Sequence, residues 1–170
     1  MKLIGSLAMA FVFCLALENR AAQKGEQPLD KDFLVKAATC NNAEIEISKL
    51  ADNRSKSAQV KEFANTLVKD HKAAFEKTGE LLKAHKLGVV TGLEKDTKDE
   101  ISRLSKLEGA AFDQAFLQHM IQEHRKAISI VENQVKNGRE ADIRNHAKDM
   151  LPELQRHLNK AEELAKSSGK

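Results

Sequence analysis

Four ionisable side chains of this 170-residue chain stand where the surrounding pattern calls for apolar ones: Glu44, His71, His124 and His157. Each interrupts a run of hydrophobic residues spaced three and four apart, the spacing that places side chains on one face of a helix. A carboxylate or imidazole buried among apolar groups costs free energy unless it is paired. Two arrangements satisfy such a set. Imidazole and carboxylate together can ligate iron, zinc, manganese or copper. Alternatively, Glu44 can pair with a protonated histidine while Asp70 or Asp113 takes other donors, which yields a polar cluster that only fixes helix packing. The residues themselves leave both open.

Depth along the helices ranks the candidates. With helix midpoints at about residues 42, 71, 123 and 152, Glu44, His71 and His124 share one level, and His157 lies about five residues beyond it, roughly 7 Å. Asp70 neighbours His71. Glu153, one turn before His157, and His119, near the level of His157, are secondary positions. Asp113 lies about 16 Å before His124 on the same face, too far to share its site along a straight helix. Met120 and His124 are one turn apart and suit copper, although methionine is ordinary core filler. Carboxylate-bridged di-iron bundles carry Glu-x-x-His on two helices. Here the residues three before His71, His124 and His157 are Val68, Ile121 and Leu154, which argues against an oxygen-activating di-iron enzyme. No Gly-rich phosphate loop, Gly-x-Ser-x-Gly or Cys-x-x-Cys is present, so the pattern leans away from an enzyme.

The elements that must position these groups are helices. Lys, Glu, Ala and Leu abound, there are two prolines, and the aromatics are all Phe, with no Trp or Tyr. This composition suits helices and suits strands poorly. A first helix starts near Asp30, with the stripe Phe33, Ala37, Cys40, Glu44, Ile47 and Ala51. Ser57 can cap a second, running to about Leu87, with the stripe Val60, Ala64, Leu67, His71, Ala74, Thr78, Leu81 and His85, and Gly88 as its stop. A short amphipathic helix is expected within 94–107. A third long helix, 110–136, carries Gln114, Leu117, Ile121, His124, Ile128, Val131 and Val135. After the Asn137-Gly138 turn, a fourth runs over about 139–165, with Ile143, Ala147, Met150, Leu154, His157, Ala161 and Leu164 inward and Pro152 expected to kink it. The economical fold is all-α: a ferritin-like four-helix bundle with a short extra helix in its long second connection.

Residues 1–22 have one Lys ahead of an uncharged apolar run, the layout of a secretory signal peptide or N-terminal anchor. Leu3 to Leu17 is short for a bilayer span of about 20 residues. Cleavage fits after Ala16 or Ala22, and the bulky Phe13 disfavours lipidation of Cys14. Residues 23–29 read as a linker, 30–165 as the bundle and 166–170 as a disordered tail. Once the leader is removed Cys40 has no disulfide partner, so an exported fold would rest on its core. The formal net charge is +3 with both signs interspersed. Without a basic stripe or interleaved aromatics, nucleic acid is not an expected partner.

The segments FLVKAATCNNAEIEISKLA (33–51), VKEFANTLVKDH (60–71), LEGAAFDQAFLQHMIQEHRKAI (107–128) and LPELQRHL (151–158) resemble the bacterial "domain of unknown function 4142" family of exported, ferritin-like helical proteins of the periplasm or outer membrane. The resemblance spans about residues 30–165. Its pattern carries over onto Glu44, Asp70, His71, Asp113, His124, Pro152 and His157, and departs at Phe116, where the family has Tyr. It implies the fold and export, and no activity. HMIQEH is also similar to one helix of a second family of exported His/Met-rich proteins linked to metal handling. The expected function is an exported cell-envelope bundle that holds a metal ion or small ligand between its helices. The alternative is a structural or interaction module of the envelope.

Overall fold

The structure, a computed structural model, describes residues 28–168. The expected leader, and the linker up to residue 27, lie outside the described residues. Six helices follow in order: α1 (Pro28–Ser48), α2 (Ala51–Arg54), α3 (Ala58–Ala84), α4 (Lys95–Leu104), α5 (Gly109–Asn137) and α6 (Ala141–Ser168). The four long ones form the bundle, and α4 is the extra helix of the second connection. Pro28 opens α1, where a missing N–H costs nothing. Ser57 caps α3, its hydroxyl accepting from Val60 N–H at 3.3 Å. No described helix is long and apolar enough to cross a membrane.

Polar contacts at the two ends give the topology. Asp30 at the start of α1 meets the turn between α5 and α6, and His85 at the end of α3 meets Asp142 at the start of α6. At the opposite end Arg54 reaches Glu108, just before α5. Hence α1 and α6 run one way, and α3 and α5 run the other. The connection from α3 to α5 must cross the length of the bundle, as in ferritin-like folds. Packing is most extensive within two hairpins, α1 with α3 and α5 with α6.

Several boundaries differ from the sequence-based expectation. The first helix breaks after Ser48, and Ala51 belongs to α2. The second ends at Ala84, before Gly88. Its left-handed terminal residue is Lys86 (φ 57°), with Leu87 N–H donating back to Leu82 O at 2.8 Å, a closure more often given to glycine. α6 passes through Pro152 unbroken and takes in 166–168, which the sequence reading assigned to the tail. Cys40 and Gln114, assigned to inward stripes, are exposed. Asn41 on α1, and Phe112 and Phe116 on α5, are buried instead. The Phe112 and Phe116 rings stack with centroids 5.5 Å apart. Phe116 is fully enclosed, so a tyrosine hydroxyl there would need a buried partner.

The core falls into two apolar clusters. One gathers Leu67, Phe112, Phe116, Met120 and Leu158; the other gathers Phe33, Leu34, Leu82, Ile143 and Leu154. The histidines sit where each helix passes from one cluster to the other.

Asp30 is 0 % exposed. Its carboxylate accepts from Gln134 Nε2 and from the backbone N–H groups of Arg139 (3.1 Å) and Glu140 (3.4 Å). It thereby satisfies backbone donors at the entry to α6 that the helix itself cannot. Asp30→Ala removes this cap and strands the Gln134 amide, so it should destabilise the protein by about 3 kcal/mol. The check is a lower urea midpoint at an unchanged slope. A shift within experimental error would show that water serves these donors as well as Asp30 does.

Candidate metal centre

His71 on α3, His124 on α5 and His157 on α6 converge. One ring nitrogen from each lies within 4.8 Å of the others, and the ring centroids are 5.3 to 5.6 Å apart. All three are buried. Each ring turns its other nitrogen to a hydrogen-bond acceptor. His71 Nδ1–H donates to Asn41 Oδ1 at 2.8 Å, His124 Nδ1–H to Met120 O at 2.9 Å and His157 Nε2–H to Asp70 Oδ2 at 3.0 Å. A backbone carbonyl and a carboxylate can only accept, so those contacts select the tautomers. The protons sit on the outer nitrogens, and lone pairs on His71 Nε2, His124 Nε2 and His157 Nδ1 face the common centre. Metal-binding imidazoles are held in this way by an outer shell of acceptors.

A cation fits the electrostatics. His71 Nε2 is buried with no hydrogen-bond partner. His124 Nε2 and His157 Nδ1 stand 3.3 Å apart with lone pairs opposed. Two nitrogens on one tetrahedral ion are separated by about 3.3 Å at metal–nitrogen bonds of about 2.05 Å. Burial first, and then the neighbouring His124 and His157, hold the His71 pKa well below the usual imidazole value. Burial, with His157 second, lowers that of His124 to about 4. Both are neutral at physiological pH, the form that ligates.

The other sequence-nominated positions fall around this centre. Glu44 is buried, but the converging group consists of His71, His124 and His157 without it. Burial, with a contribution from Glu123, raises its pKa to about 8, and its Oε2 has no partner. Burial thus favours its neutral acid form beside His71 and His124, which burial also holds neutral, and Glu44 forms no ion pair with a histidine. Asp70 supplies the acceptor for His157, with Arg156 3.6 Å from the same oxygen. Asp113 is buried away from the three rings, its Oδ1 without a partner. His119 faces α4 and lies 3.2 Å from Glu100. Glu153 is half-exposed and pairs with Arg156 at 3.5 Å, outside the cluster. His157, placed off level by the midpoint estimate, is a full member.

Asn41 and His146 are among the buried polar groups that the hydrophobic spacing does not single out. Asn41 holds His71. His146 bonds Thr78 Oγ1 through Nε2 at 2.9 Å. Both carry a periodicity signal: Asn41, Glu44 and Ser48 follow helical spacing on α1, and His146 lies three residues after Ile143 on the inward face of α6.

Structures of low sequence identity share the fold. A DUF305 protein from Streptomyces coelicolor matches with a TM-score of 0.73 at 16 % identity, over 83 % of this chain and 92 % of its own. A DUF305 fragment from Deinococcus radiodurans gives 0.75 at 13 %, over 84 % and 98 %. CopM in its Cu(I)-bound form gives 0.69 at 15 %, over 83 % and 98 %. No curated protein matches the sequence significantly. The profile of the Domain of unknown function (DUF4142) family matches residues 16–164, and the chain belongs to that family.

Proposed function

We propose that this protein is an exported metal-handling bundle that binds one transition-metal ion, copper or zinc, through His71, His124 and His157. The observation that carries the reading is the inward convergence of three lone pairs whose outer nitrogens are already committed to acceptors. An all-imidazole set suits copper and zinc, and suits manganese, which favours oxygen donors, less well. CopM, described with Cu(I), Cu(II) and Ag bound, supports copper. The leader-like composition of residues 1–22 supports export to the cell envelope.

Dialysis against copper, zinc, iron and manganese salts should leave one equivalent of copper or zinc on each chain and raise the thermal midpoint, with a chelator reversing both. Asp70→Ala should weaken that binding by roughly 10- to 100-fold, because it releases the His157 ring. Protein that emerges metal-free from every salt would leave the second reading, a packing cluster.

A further inference from the structure

A cavity of about 350 Å³ lies between α1, α4 and α5. His71 and His124 form part of its wall, so it is continuous with the three-histidine centre. Its other lining residues include Glu94, Asp96 and Lys126, all exposed, and Glu123, half-buried. The space thus runs from the surface to side chains that are almost wholly enclosed. Carboxylates outnumber lysines along it. Glu94, Asp96, Glu100 and Glu123 face Lys36 and Lys126, and Lys126 is already paired with Glu123 at 2.7 Å. Glu44 also lines this space, 6 % exposed, its Oε2 without a partner. An apolar channel with a carboxylate mouth and a lone oxygen donor in its wall attracts cations and offers them a ligand after they shed water.

We infer that this cavity is the entry and exit route of the metal ion, with the Glu94–Glu123 rim as its electrostatic mouth and Glu44 as the intermediate oxygen ligand on the way to His71. The inference rests on the three-histidine reading and adds a path to it. The path takes aquated divalent cations, and excludes anionic chelates by the same charge.

Plugging the cavity by substitution tests the path apart from the site. Ala127 lines the cavity and is not among the converging ligands. Ala127→Phe should slow both loading with zinc chloride and release to a chromophoric chelator by roughly tenfold or more, with Kd within about twofold of wild type, since blocking a route alters both directions equally. Should that variant fail to fold, Glu94→Gln/Glu123→Gln should slow loading by roughly tenfold at low ionic strength and converge on wild type near 1 M salt. Wild-type rates in the variants, with wild-type protein binding zinc at equilibrium, would overturn the route alone. Wild-type protein that binds no metal at equilibrium would overturn the site, and the route with it.

Discussion

Replacing His124 with leucine is expected to abolish stoichiometric metal binding while leaving a folded bundle. His124 is 1 % exposed and supplies one of three inward lone pairs. Loss of an outer-shell partner costs roughly 10- to 100-fold in affinity, so loss of a ligand must cost more. The stability of the metal-free protein should change by about 1 kcal/mol or less. Leucine approximates the imidazole in volume, and a packed apolar group commonly replaces a buried polar one at little cost. The Met120 carbonyl that accepts from His124 Nδ1 also lies at the i−4 position to the His124 backbone N–H within α5, so it is not stranded. Metal content after dialysis and a circular-dichroism melt check the two halves. The chain has no Trp or Tyr, so intrinsic fluorescence is of little use. A variant that keeps its metal at wild-type affinity would show that the ion binds elsewhere.

The second large effect is a stability maximum of the metal-free protein near pH 6.5. Between about pH 4 and 6.5 the unfolded chain binds protons on His71 and His124 that the folded chain refuses. Stability therefore rises with pH through that window. Burial lowers the pKa of His146 and His119 as well, which adds in the same direction. Glu44 acts oppositely. The fold keeps its proton up to about pH 8, whereas the unfolded chain releases it near 4.5, so its contribution falls as pH rises between those values. The histidines outweigh one carboxyl below pH 6.5, and above it Glu44 acts alone. Each group contributes up to about 1.4 kcal/mol per pH unit within its window. Thermal midpoints of chelator-treated protein from pH 4 to 9 should peak, and Glu44→Gln should flatten the decline on the alkaline side. A monotonic rise to pH 8 in the wild type would mean that Glu44 is ionised in the fold.

Most of the bundle was legible because its signals are local. The three-and-four spacing of Val60, Ala64 and Leu67, the Ser57 cap and the Asn137-Gly138 turn act within one or two turns of chain. The inward placement of His71, His124 and His157 was legible for the same reason. Their mutual level was not, because helix register is a tertiary property. The hydrophobic spacing carries the first helix through Ala51, which puts its midpoint beside Glu44. The structure ends α1 at Ser48, so its centre lies near residue 38 and Glu44 falls about 9 Å beyond it. On α6 the reverse occurs. The register is set where Asp30 holds the α5–α6 turn, and this carries His157 into line with its neighbours. The helical spacing that turns Asn41 inward does not say which ring it meets, because its bond to His71 joins two helices.

Gly138 belongs to that corner. A Cβ there would overlap the Gln134 amide and crowd Asp30, so the turn must stay bare for the contact to form.

The unequal packing of the two hairpins has a mechanical consequence. α1–α3 and α5–α6 are each tightly joined, and the seam between them adds to the two apolar clusters a series of polar contacts: Asp30 with Gln134, His85 with Asp142, Thr78 with His146 and Asp70 with His157. The three imidazoles straddle the same seam, one on the first hairpin and two on the second. An ion bound there acts as a removable rivet between two stiff plates. Amide hydrogens of α3 and α6 along the seam should then exchange slowly in the loaded protein and faster once the rivet is drawn, while those within each hairpin keep their protection.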